Sequence, residues 1–274
     1  GAQSHIALAG PANKQGRIAA DHICGRRSAY TGALGTSVLK LFNLTAASTG
    51  LNEKQARAAG VAYDKVVTYS ASHASYYPGA RNMTVKTLFD PASGRILGAQ
   101  IVGFDGVDKR MDVLAAAIRA GLTAEQLTEL DLAYAPPYGS AKDPVNMAGY
   151  VIGNVRAGLV EQHHWDAVAE LPADGSVILL DVRTPGEVRK QGLLRSDALH
   201  IPLDELRGRL GELDKGKKVY VNCYSGLRSY LACRILSQKG FRCSNLSGGW
   251  RFWSYAATGR VHDAIPTHPC GIPT

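Results

Sequence analysis

The sequence lacks the long apolar run and the leader pattern that direct chains into or across membranes. No stretch approaches the ~20 apolar residues of a membrane span, and no signal-peptide pattern occurs. Cysteines are scarce, and no two of them form a C-x-x-C pair. Their number is odd, and the five are Cys24, Cys223, Cys233, Cys243 and Cys270. This usage argues against a disulfide framework and against a zinc site. We therefore expect no membrane association, no metal and a reducing, cytoplasmic location.

Signals for two further ligand classes are also missing. No G-x-G-x-x-G motif occurs, so a dinucleotide-binding Rossmann unit is not expected within this chain. The formal net charge is +8, but the basic residues are dispersed and do not alternate with aromatic residues, which argues against nucleic acid. A solvated basic surface is the default interpretation, and attraction of anionic small molecules, such as phosphate-bearing thiols, is the better functional alternative.

What is present is an ordinary globular composition over a length that predicts about two domains: 274 residues, 45% hydrophobic and 20% charged. The first half predicts an α+β domain, an antiparallel sheet with helices on one face. Its predicted strands cover residues 36–43, 61–71, 83–89 and 95–102, and its helices residues 53–59, 112–120 and 144–155. Thr123 and Gln126 predict a capping box that starts a further short helix after residue 120. Residues 6–11 predict another strand, while Pro11 also suits the first position of a helix that stops at Gly25.

The chemistry is concentrated in one segment, residues 223–229, which we call the Cys223 loop. It follows a β-branched run at residues 219–222 and precedes a segment with helical periodicity. At such a turn, the free N–H groups and the dipole of the helix favour a thiolate or another sulfur anion. Arg228 adds a positive charge within one turn. A buried structural cysteine is the alternative, and it suits Cys233 and Cys243 better than Cys223.

The surroundings of this loop resemble a rhodanese domain over residues 164–257. The resemblance rests on residues 177–183, 200–203, 223–229 and 246–250. In rhodaneses the cysteine carries a persulfide whose outer sulfur is surrounded by backbone N–H groups. The resemblance implies that Cys223 and Arg228 are catalytic, and that Asp181 and Arg183 support the loop and help Arg228 attract anionic donors. It also implies a persulfide loop that includes Tyr224, Ser225, Gly226, Leu227 and Ser229.

Loop length separates this resemblance from the related phosphatases. The six residues from Cys223 to Arg228 match the sulfurtransferases, whereas the phosphatases carry a loop one residue longer that is sized for phosphate. The sequence departs from the family at Gly192, which is followed by Leu193 where rhodaneses usually have Gly-His. That departure puts the local packing in question and leaves the loop untouched.

The first half of the chain resembles a second family. Residues 8–17 are similar to the last FAD-contacting segment of the pyridine-nucleotide disulfide oxidoreductases, and residues 36–150 to their dimerisation domain. Within that superfamily, the coenzyme A-disulfide reductases are most similar; the motifs are at residues 73–79, 106–113, 133–138 and 141–150. The whole chain thus resembles the C-terminal part of a coenzyme A-disulfide or persulfide reductase fused to a rhodanese.

This second resemblance implies a set of FAD- or coenzyme A-contacting residues: Gly10, Pro11, Asn13, Lys14, Arg17, Tyr76, Tyr134 and Lys142. The two tyrosines would face the other subunit's active site in a homodimer formed through residues 36–158. A tyrosine hydroxyl can donate a hydrogen bond to a leaving thiolate, and a lysine can neutralise a coenzyme A phosphate. Ordinary interface tyrosines and a solvated lysine are the alternatives.

The patterns together predict four parts. Residues 1–35 end an FAD-binding domain, 36–158 form the dimerisation domain, 164–259 an α/β rhodanese-like domain and 260–274 an irregular tail. At the join, His163 and His164 resemble a tag remnant or linker more than a metal site. The chain opens at Gly1 inside the first pattern, so we expect N-terminal FAD and NAD(P)H domains to be missing. FAD, NAD(P)H and coenzyme A would serve the intact protein, with none bound to this fragment.

Two functions remain open from the sequence. In the first, Cys223 accepts sulfane sulfur as a persulfide and passes it to a small thiol, exchanging sulfur with the flavin-linked reductase of the intact protein. In the second, the chain is a non-catalytic dimerisation and docking fragment with a scaffolding rhodanese fold. The intact Cys223 loop argues against the second function, and a phosphatase would need a longer loop.

Overall fold

The computed structural model describes residues 5–258, which form two domains with one five-stranded sheet each. The first sheet is antiparallel throughout and the second is parallel throughout. The fold is therefore an α+β domain followed by an α/β domain, which confirms the predicted fold class. The predicted tail at residues 260–274 lies outside the described residues, as does Cys270. Within the described range, no helix is both long and apolar enough to cross a membrane.

The first domain contains five helices and five strands in the described range: α1 (Ala9–Ile23), β1 (Ser37–Leu41), β2 (Leu44–Gly50), α2 (Glu53–Ala58), β3 (Asp64–Ala71), β4 (Asn82–Phe89), β5 (Ile96–Gly103), α3 (Val107–Ala120), α4 (Ala124–Glu129) and α5 (Pro144–Arg156). The strand order is β1-β2-β5-β4-β3, so β3 is an edge strand. Alternate residues of the strands face α3 and α5, and this face carries the core, including Val66, Val85, Ile101, Leu114 and Ile152.

Local sequence signals set most of these boundaries. Thr123 and Gln126 form the predicted capping box at the start of α4. The Asp143 side chain caps α5 by accepting a hydrogen bond from Val145 N. Its Oδ2 also forms a buried ion pair with Arg110 Nη2 of α3 at 2.9 Å. Two element starts differ from the prediction. β3 begins at Asp64 rather than at residue 61. α3 begins at Val107 rather than at residue 112, after Gly106, which takes a left-handed conformation at φ 65°.

In the N-terminal region one strand was predicted, one was missed and one prediction is wrong. The strand predicted at residues 36–43 is β1, the first arm of a hairpin in which Leu41 pairs with Leu44 and Phe42 turns the chain at φ 50°. The second arm, β2, was not predicted because its Thr, Ala and Ser residues give little strand signal. Residues 6–11 are not a strand: α1 begins at Ala9, since a helix tolerates Pro11 within its first turn.

The second domain alternates strands and helices: β6 (Glu161–His163), β7 (Val177–Asp181), α6 (Pro185–Gln191), β8 (Leu199–His200), α7 (Leu203–Leu206), β9 (Lys218–Asn222), α8 (Leu227–Gln238), β10 (Cys243–Leu246) and α9 (Gly249–Thr258). Short 3-10 helices lie at Trp165–Glu170 and Leu210–Glu212. The strand order is β6-β10-β9-β7-β8, which places β9 at the centre. Because β9 is central, the loop that follows it opens at the middle of the sheet edge.

The two histidines at the join are structural, which corrects their interpretation as a tag remnant or linker. His163 ends β6 and is 8% exposed; its Nδ1 lies 3.2 Å from Ser244 Oγ, and burial lowers its pKa to about 3. His164 Nε2 lies 3.2 Å from the Asp64 carboxylate in the first domain. The second sheet therefore starts before residue 164, with a strand that adjacent histidines did not suggest.

The domains are held together by a polar cluster around Glu53. Its carboxylate receives Lys65 Nζ at 2.7 Å and also pairs with Lys86, and Lys65 reaches Asp166 of the second domain at 3.4 Å. Burial would raise the pKa of Glu53, but hydrogen bonds from Lys65 and Lys86 lower it to about 2. A carboxylate with two lysines around it thus stabilises the folded state only while it is ionised.

The second domain also covers the free edge of β3. Val67 N donates to Ser247 Oγ at 3.1 Å, and the Arg251 guanidinium lies 4.5 Å from the centre of the Tyr69 ring. An uncovered edge strand leaves N–H groups unpaired and invites association with other chains. The segment after β10 therefore provides a hydrogen-bond acceptor for an N–H group at the edge of the other domain's sheet.

We expect Glu53→Gln to lower the free energy of unfolding by about 2–3 kcal/mol at pH 7, because Lys65 and Lys86 lose their charged partner. The folded pKa lies below the unfolded one, so the contribution is complete above about pH 4.5 and is lost as the pH falls toward 2. Denaturant unfolding across that range measures it. Glu212→Gln, which removes an exposed pair with Arg209, is the control and should leave stability almost unchanged, because water screens exposed ion pairs. A Glu53→Gln effect that stayed constant with pH would contradict the assignment.

Candidate active site

Cys223 lies where β9 ends and α8 begins, and its sulfur receives two hydrogen bonds. Gly226 N donates to Cys223 Sγ at 3.1 Å, and the buried Ser229 hydroxyl donates at 3.2 Å. Gly226 is the residue before α8 and adopts φ 98°, a conformation that favours glycine. Both donors belong to the first turn of a helix, where partial positive charge accumulates. The site is therefore organised for a sulfur that carries negative charge.

The carbonyl groups of the Cys223 loop point the other way and are bound by α9. Trp250 N donates to Cys223 O at 2.8 Å, and Arg251 N donates to Tyr224 O at 2.9 Å. Gly249 makes this approach possible, since a Cβ there would lie 2.6 Å from Cys223 O and 2.8 Å from Gly226 N. The loop thus lies between two helix N-termini, one directed at its sulfur and one at its carbonyls.

Arg228 is paired with a residue that the sequence did not single out. Its guanidinium donates to both carboxylate oxygens of Glu187 in α6, at 2.8 and 2.6 Å. Burial would raise the pKa of Glu187, but hydrogen bonds from Arg228 and Thr184 N hold it below the ordinary value. The bidentate pair fastens the start of α8 to α6. Arg228 therefore has a positioning contact in addition to its predicted catalytic role.

Asp181 and Arg183 form a fully buried ion pair at 2.6 Å, with both side chains inaccessible. Arg183 also donates to Gly192 O at 2.7 Å and lies over the Trp250 ring, 5.1 Å from its centre. Trp250 in turn stacks on Tyr224. This chain of contacts fits the predicted support of the loop. It does not fit the expectation that Arg183 attracts donors, because a fully buried side chain meets no solute.

A cavity of about 170 Å³ adjoins the Cys223 loop at the domain boundary. Ser225, Gly226 and Leu227 line it from the second domain, and Tyr69 and Tyr150 from the first. Cys223 itself is buried, with 0% of its surface exposed. The loop is thus approached from the side of the other domain rather than only from open solvent. In the described part of the chain, no group of three metal-ligating side chains lies close enough to hold an ion.

Two of the residues assigned to coenzyme A by resemblance come together in the structure. The Tyr76 and Tyr134 hydroxyls are 3.2 Å apart on the surface of the first domain. Their hydrogen bond raises the pKa of Tyr134. Lys142 is also exposed and lies just before the Asp143 cap of α5. The two tyrosines thus form one hydrogen-bonded pair on an exposed surface, a position that is compatible with an interface role.

The other residues assigned by resemblance lie on α1. Gly10, Asn13, Lys14 and Arg17 are exposed, and Pro11 is half-buried. A Cβ added at Gly10 would meet no atom within 4 Å. Within the described part of the chain, these residues thus form a largely exposed face of α1.

The sequence predicted the loop and one of its supports but not the other two. The loop residues and the Asp181–Arg183 pair were predicted as parts of one site, and the structure brings them together. Glu187 was missed because an acidic residue in the first turn of a helix is common. Gly249 lies in the motif at residues 246–250 and was given no role, although two adjacent glycines signalled a close backbone approach.

Two family models match the chain. The pyridine nucleotide-disulphide oxidoreductase dimerisation domain matches residues 36–144, and the rhodanese-like domain matches residues 164–256. The first match falls on the antiparallel sheet and its helices, and the second on the parallel sheet that holds Cys223. The chain therefore contains both domain types.

Relatives with known names share this combination or its first half. The chain is 40% identical over 148 residues to the coenzyme A disulfide reductase of Staphylococcus haemolyticus, covering 54% of this chain and 33% of that protein. Reduced Bacillus anthracis CoADR-RHD is 45% identical with a TM-score of 0.90, covering 94% of this chain and 46% of that one. A NAD-dependent persulfide reductase from A. fulgidus is 42% identical with a TM-score of 0.77, covering 88% and 43%. The chain thus spans less than half the length of these relatives.

The close contact between Gly249 and the Cys223 loop can be tested by substitution. Gly249→Ala should lower the free energy of unfolding by at least about 2 kcal/mol, because strain at positive φ adds to the overlap with the Cys223 loop. Gly240→Ala is the matched control: its φ is also positive (81°), but a Cβ there meets nothing within 4 Å. That control should cost only the strain, about 1–2 kcal/mol. Equal losses in the two variants, measured by denaturant unfolding, would show that the crossing is not tight.

Proposed function

Because the chain joins a pyridine nucleotide-disulphide oxidoreductase dimerisation domain to a rhodanese-like domain, we propose that it is the sulfurtransferase module of a coenzyme A-disulfide or persulfide reductase. The observation that carries the proposal is the pair of donors on Cys223 Sγ, Gly226 N and Ser229 Oγ. Both favour an anionic sulfur, either the attacking thiolate or the persulfide that it becomes.

The transfer runs in two displacement steps. The Cys223 thiolate attacks the outer sulfur of a donor such as thiosulfate; the donor's S–S bond breaks and sulfite leaves with the electron pair. Cys223 then carries a persulfide anion. A thiolate acceptor attacks the outer sulfur of that persulfide, forms its own persulfide and returns Cys223 as a thiolate. Neither step needs an external oxidant or reductant, and the loop donors stabilise the negative charge in each state.

Arg228 and the buried pair have distinct parts in this scheme. Through Glu187, Arg228 holds the first turn of α8 and with it the two donors to sulfur. Through Trp250, Arg183 holds the segment whose N–H groups bind the loop carbonyls. Holding these dipoles in place before the reaction is what makes them effective toward developing charge.

For the reductase part, we infer that FAD, NAD(P)H and coenzyme A serve a longer protein. The residues on α1 fit one side of such a group, since they are exposed and include the cations Lys14 and Arg17. When bound, a flavin supplies two-electron transfer between the pyridine nucleotide and a disulfide. Tyr76 and Tyr134 could each donate a proton to a leaving thiolate, and Lys142 could neutralise a phosphate. The proposed acceptors are small thiols and persulfides.

A homodimer through residues 36–158 is part of this proposal. The β1 arm of the hairpin is exposed along its length, with Phe42 90% exposed at the tip. The tyrosine pair lies on the same domain. Exposed apolar and tyrosine side chains together are typical of an association surface.

A second candidate function is favoured by one observation, the complete burial of Cys223. In a docking module the loop would be a structural remnant and the two domains a scaffold. The two functions differ in whether a donor can reach the sulfur, which an activity measurement decides.

We expect the purified chain to transfer sulfur from thiosulfate to cyanide or to a thiol, and Cys223→Ser to reduce the rate to the uncatalysed background. Mass spectrometry after donor treatment should find one added sulfur on Cys223. Cys24→Ser, which removes an exposed cysteine outside the site, should leave the rate unchanged. A chain that is inactive and acquires no sulfur, with native folding by circular dichroism, would favour the docking function instead.

Light scattering on the full chain should give twice the protomer mass. Tyr134→Glu should weaken the dimer more than about tenfold, because a charge would be buried at the interface. Leu231→Glu in the second domain is the matched control, since Leu231 is 43% exposed and Tyr134 48% exposed. A monomer at all concentrations, or equal effects of the two variants, would refute the interface in the first domain.

A further inference from the structure

Two cysteines that the proposed function does not use lie next to each other behind the active site. Cys233 lies in α8 and Cys243 begins β10. Cys243 Sγ donates to the carbonyl oxygen of Cys233 at 3.4 Å, and both side chains belong to the same buried cluster. Neither takes part in a disulfide. The two cysteines are therefore neighbours in the fold.

The two thiols differ in access. Cys243 lines an open cleft of about 400 Å³, together with Gly158, Glu161, Lys218 and Arg242. Its exposed fraction is 8%, whereas Cys233 is 1% exposed and lies beneath it. A small solute in the cleft would therefore meet Cys243 first.

The two thiols also differ in acidity. The neighbouring Cys233 thiol lowers the pKa of Cys243 to about 7, and Ser237 Oγ adds a contact at 3.4 Å. The neighbouring Cys243 thiol and burial raise the pKa of Cys233. The more accessible thiol is also the more readily ionised one. This is the order of reactivity found in a nucleophilic cysteine with a resolving partner.

We propose that Cys233 and Cys243 form a second thiol site, a reversible dithiol that is oxidised by small disulfides, with Cys243 as the attacking thiol and Cys233 as the resolving thiol. The reacting class is a low-molecular-weight disulfide that fits the cleft.

The reaction balances as two thiol–disulfide exchanges. The Cys243 thiolate attacks one sulfur of the small disulfide, its S–S bond breaks, and one small thiolate leaves with the electron pair. Cys233 then loses its proton to that thiolate or to water and attacks Cys243 Sγ, which releases the second small thiol. The two cysteines are oxidised to a disulfide and the small disulfide is reduced to two thiols.

The two chain segments that this disulfide would join both frame the Cys223 loop. α8 starts at Leu227, directly after Gly226, and β10 ends at Leu246, directly before Ser247. The disulfide would therefore connect α8 with β10. The Cys223 loop lies at the N-terminus of α8, and β10 precedes the Gly248–Gly249 segment that supports the loop. The proposal does not depend on sulfur transfer by Cys223.

The test uses the full chain with Cys24, Cys223 and Cys270 each changed to Ser, so that only the pair remains and no sulfur transfer can contribute. The probe is hydroxyethyl disulfide. After reaction, unfolding and alkylation, intact mass should show both cysteines protected, no probe attached and two mercaptoethanol molecules released per chain. Dithiothreitol should restore two alkylatable thiols. In the unmodified chain, peptide mapping should find the Cys233–Cys243 linkage.

Two further variants separate the roles. Adding Cys233→Ser should leave the probe on Cys243 as a stable mixed disulfide, and adding Cys243→Ser should slow the reaction at Cys233 at least tenfold. Circular dichroism checks that each variant is folded. The proposal is overturned if both thiols remain alkylatable in the folded pair variant, if the probe stays on Cys243 although Cys233 is present, or if Cys233 reacts equally fast without Cys243.

Discussion

The arrangement around Cys223 depends on one close crossing of backbone, in which Gly248 and Gly249 pass between the Cys223 loop and β3. A Cβ at Gly249 would lie 2.6 Å from Cys223 O, and one at Gly248 would lie 2.9 Å from Val67 Cγ1. Two consecutive residues thus touch the active-site loop on one side and the other domain's sheet on the other. Since peptide units are rigid, neither contact can shift without moving its neighbour. The geometry of the loop and the packing of the domains are therefore one constraint.

Within that constraint, dipoles rather than ions face the sulfur of Cys223. Arg228 is paired with Glu187 and Arg183 with Asp181. What faces Cys223 Sγ is the Gly226 N–H and the Ser229 hydroxyl at the start of α8. Fixed dipoles in a buried site stabilise an anion without reorganising and are little screened by salt. The ion pairs contribute by holding those dipoles in position, so their loss would act on the sulfur through geometry.

The sequence predicted the elements whose signals are local. Thr123 and Gln126 predicted the start of α4, and the β-branched run before Cys223 predicted β9. The prediction from sequence failed where contacts between distant parts of the chain determine the structure. The small polar residues of β2 form a strand because β1 and β5 pair with both of its sides. His163 is in a strand because β10 offers it an edge. Glu187 could not be matched to Arg228 from the sequence, since their pairing depends on how α6 and α8 meet.

The strand at the join changes how the two domains relate to each other. β6 is an edge strand of the second sheet, and His164, the next residue, pairs with Asp64 at the start of β3. The chain therefore passes from one domain to the other without a free linker. β3 has an uncovered side that needs a partner, and the segment that supports the Cys223 loop provides it through Ser247. A movement that separated the domains would expose the β3 edge and release the loop support together. The loop and the sheet edge thus stabilise each other.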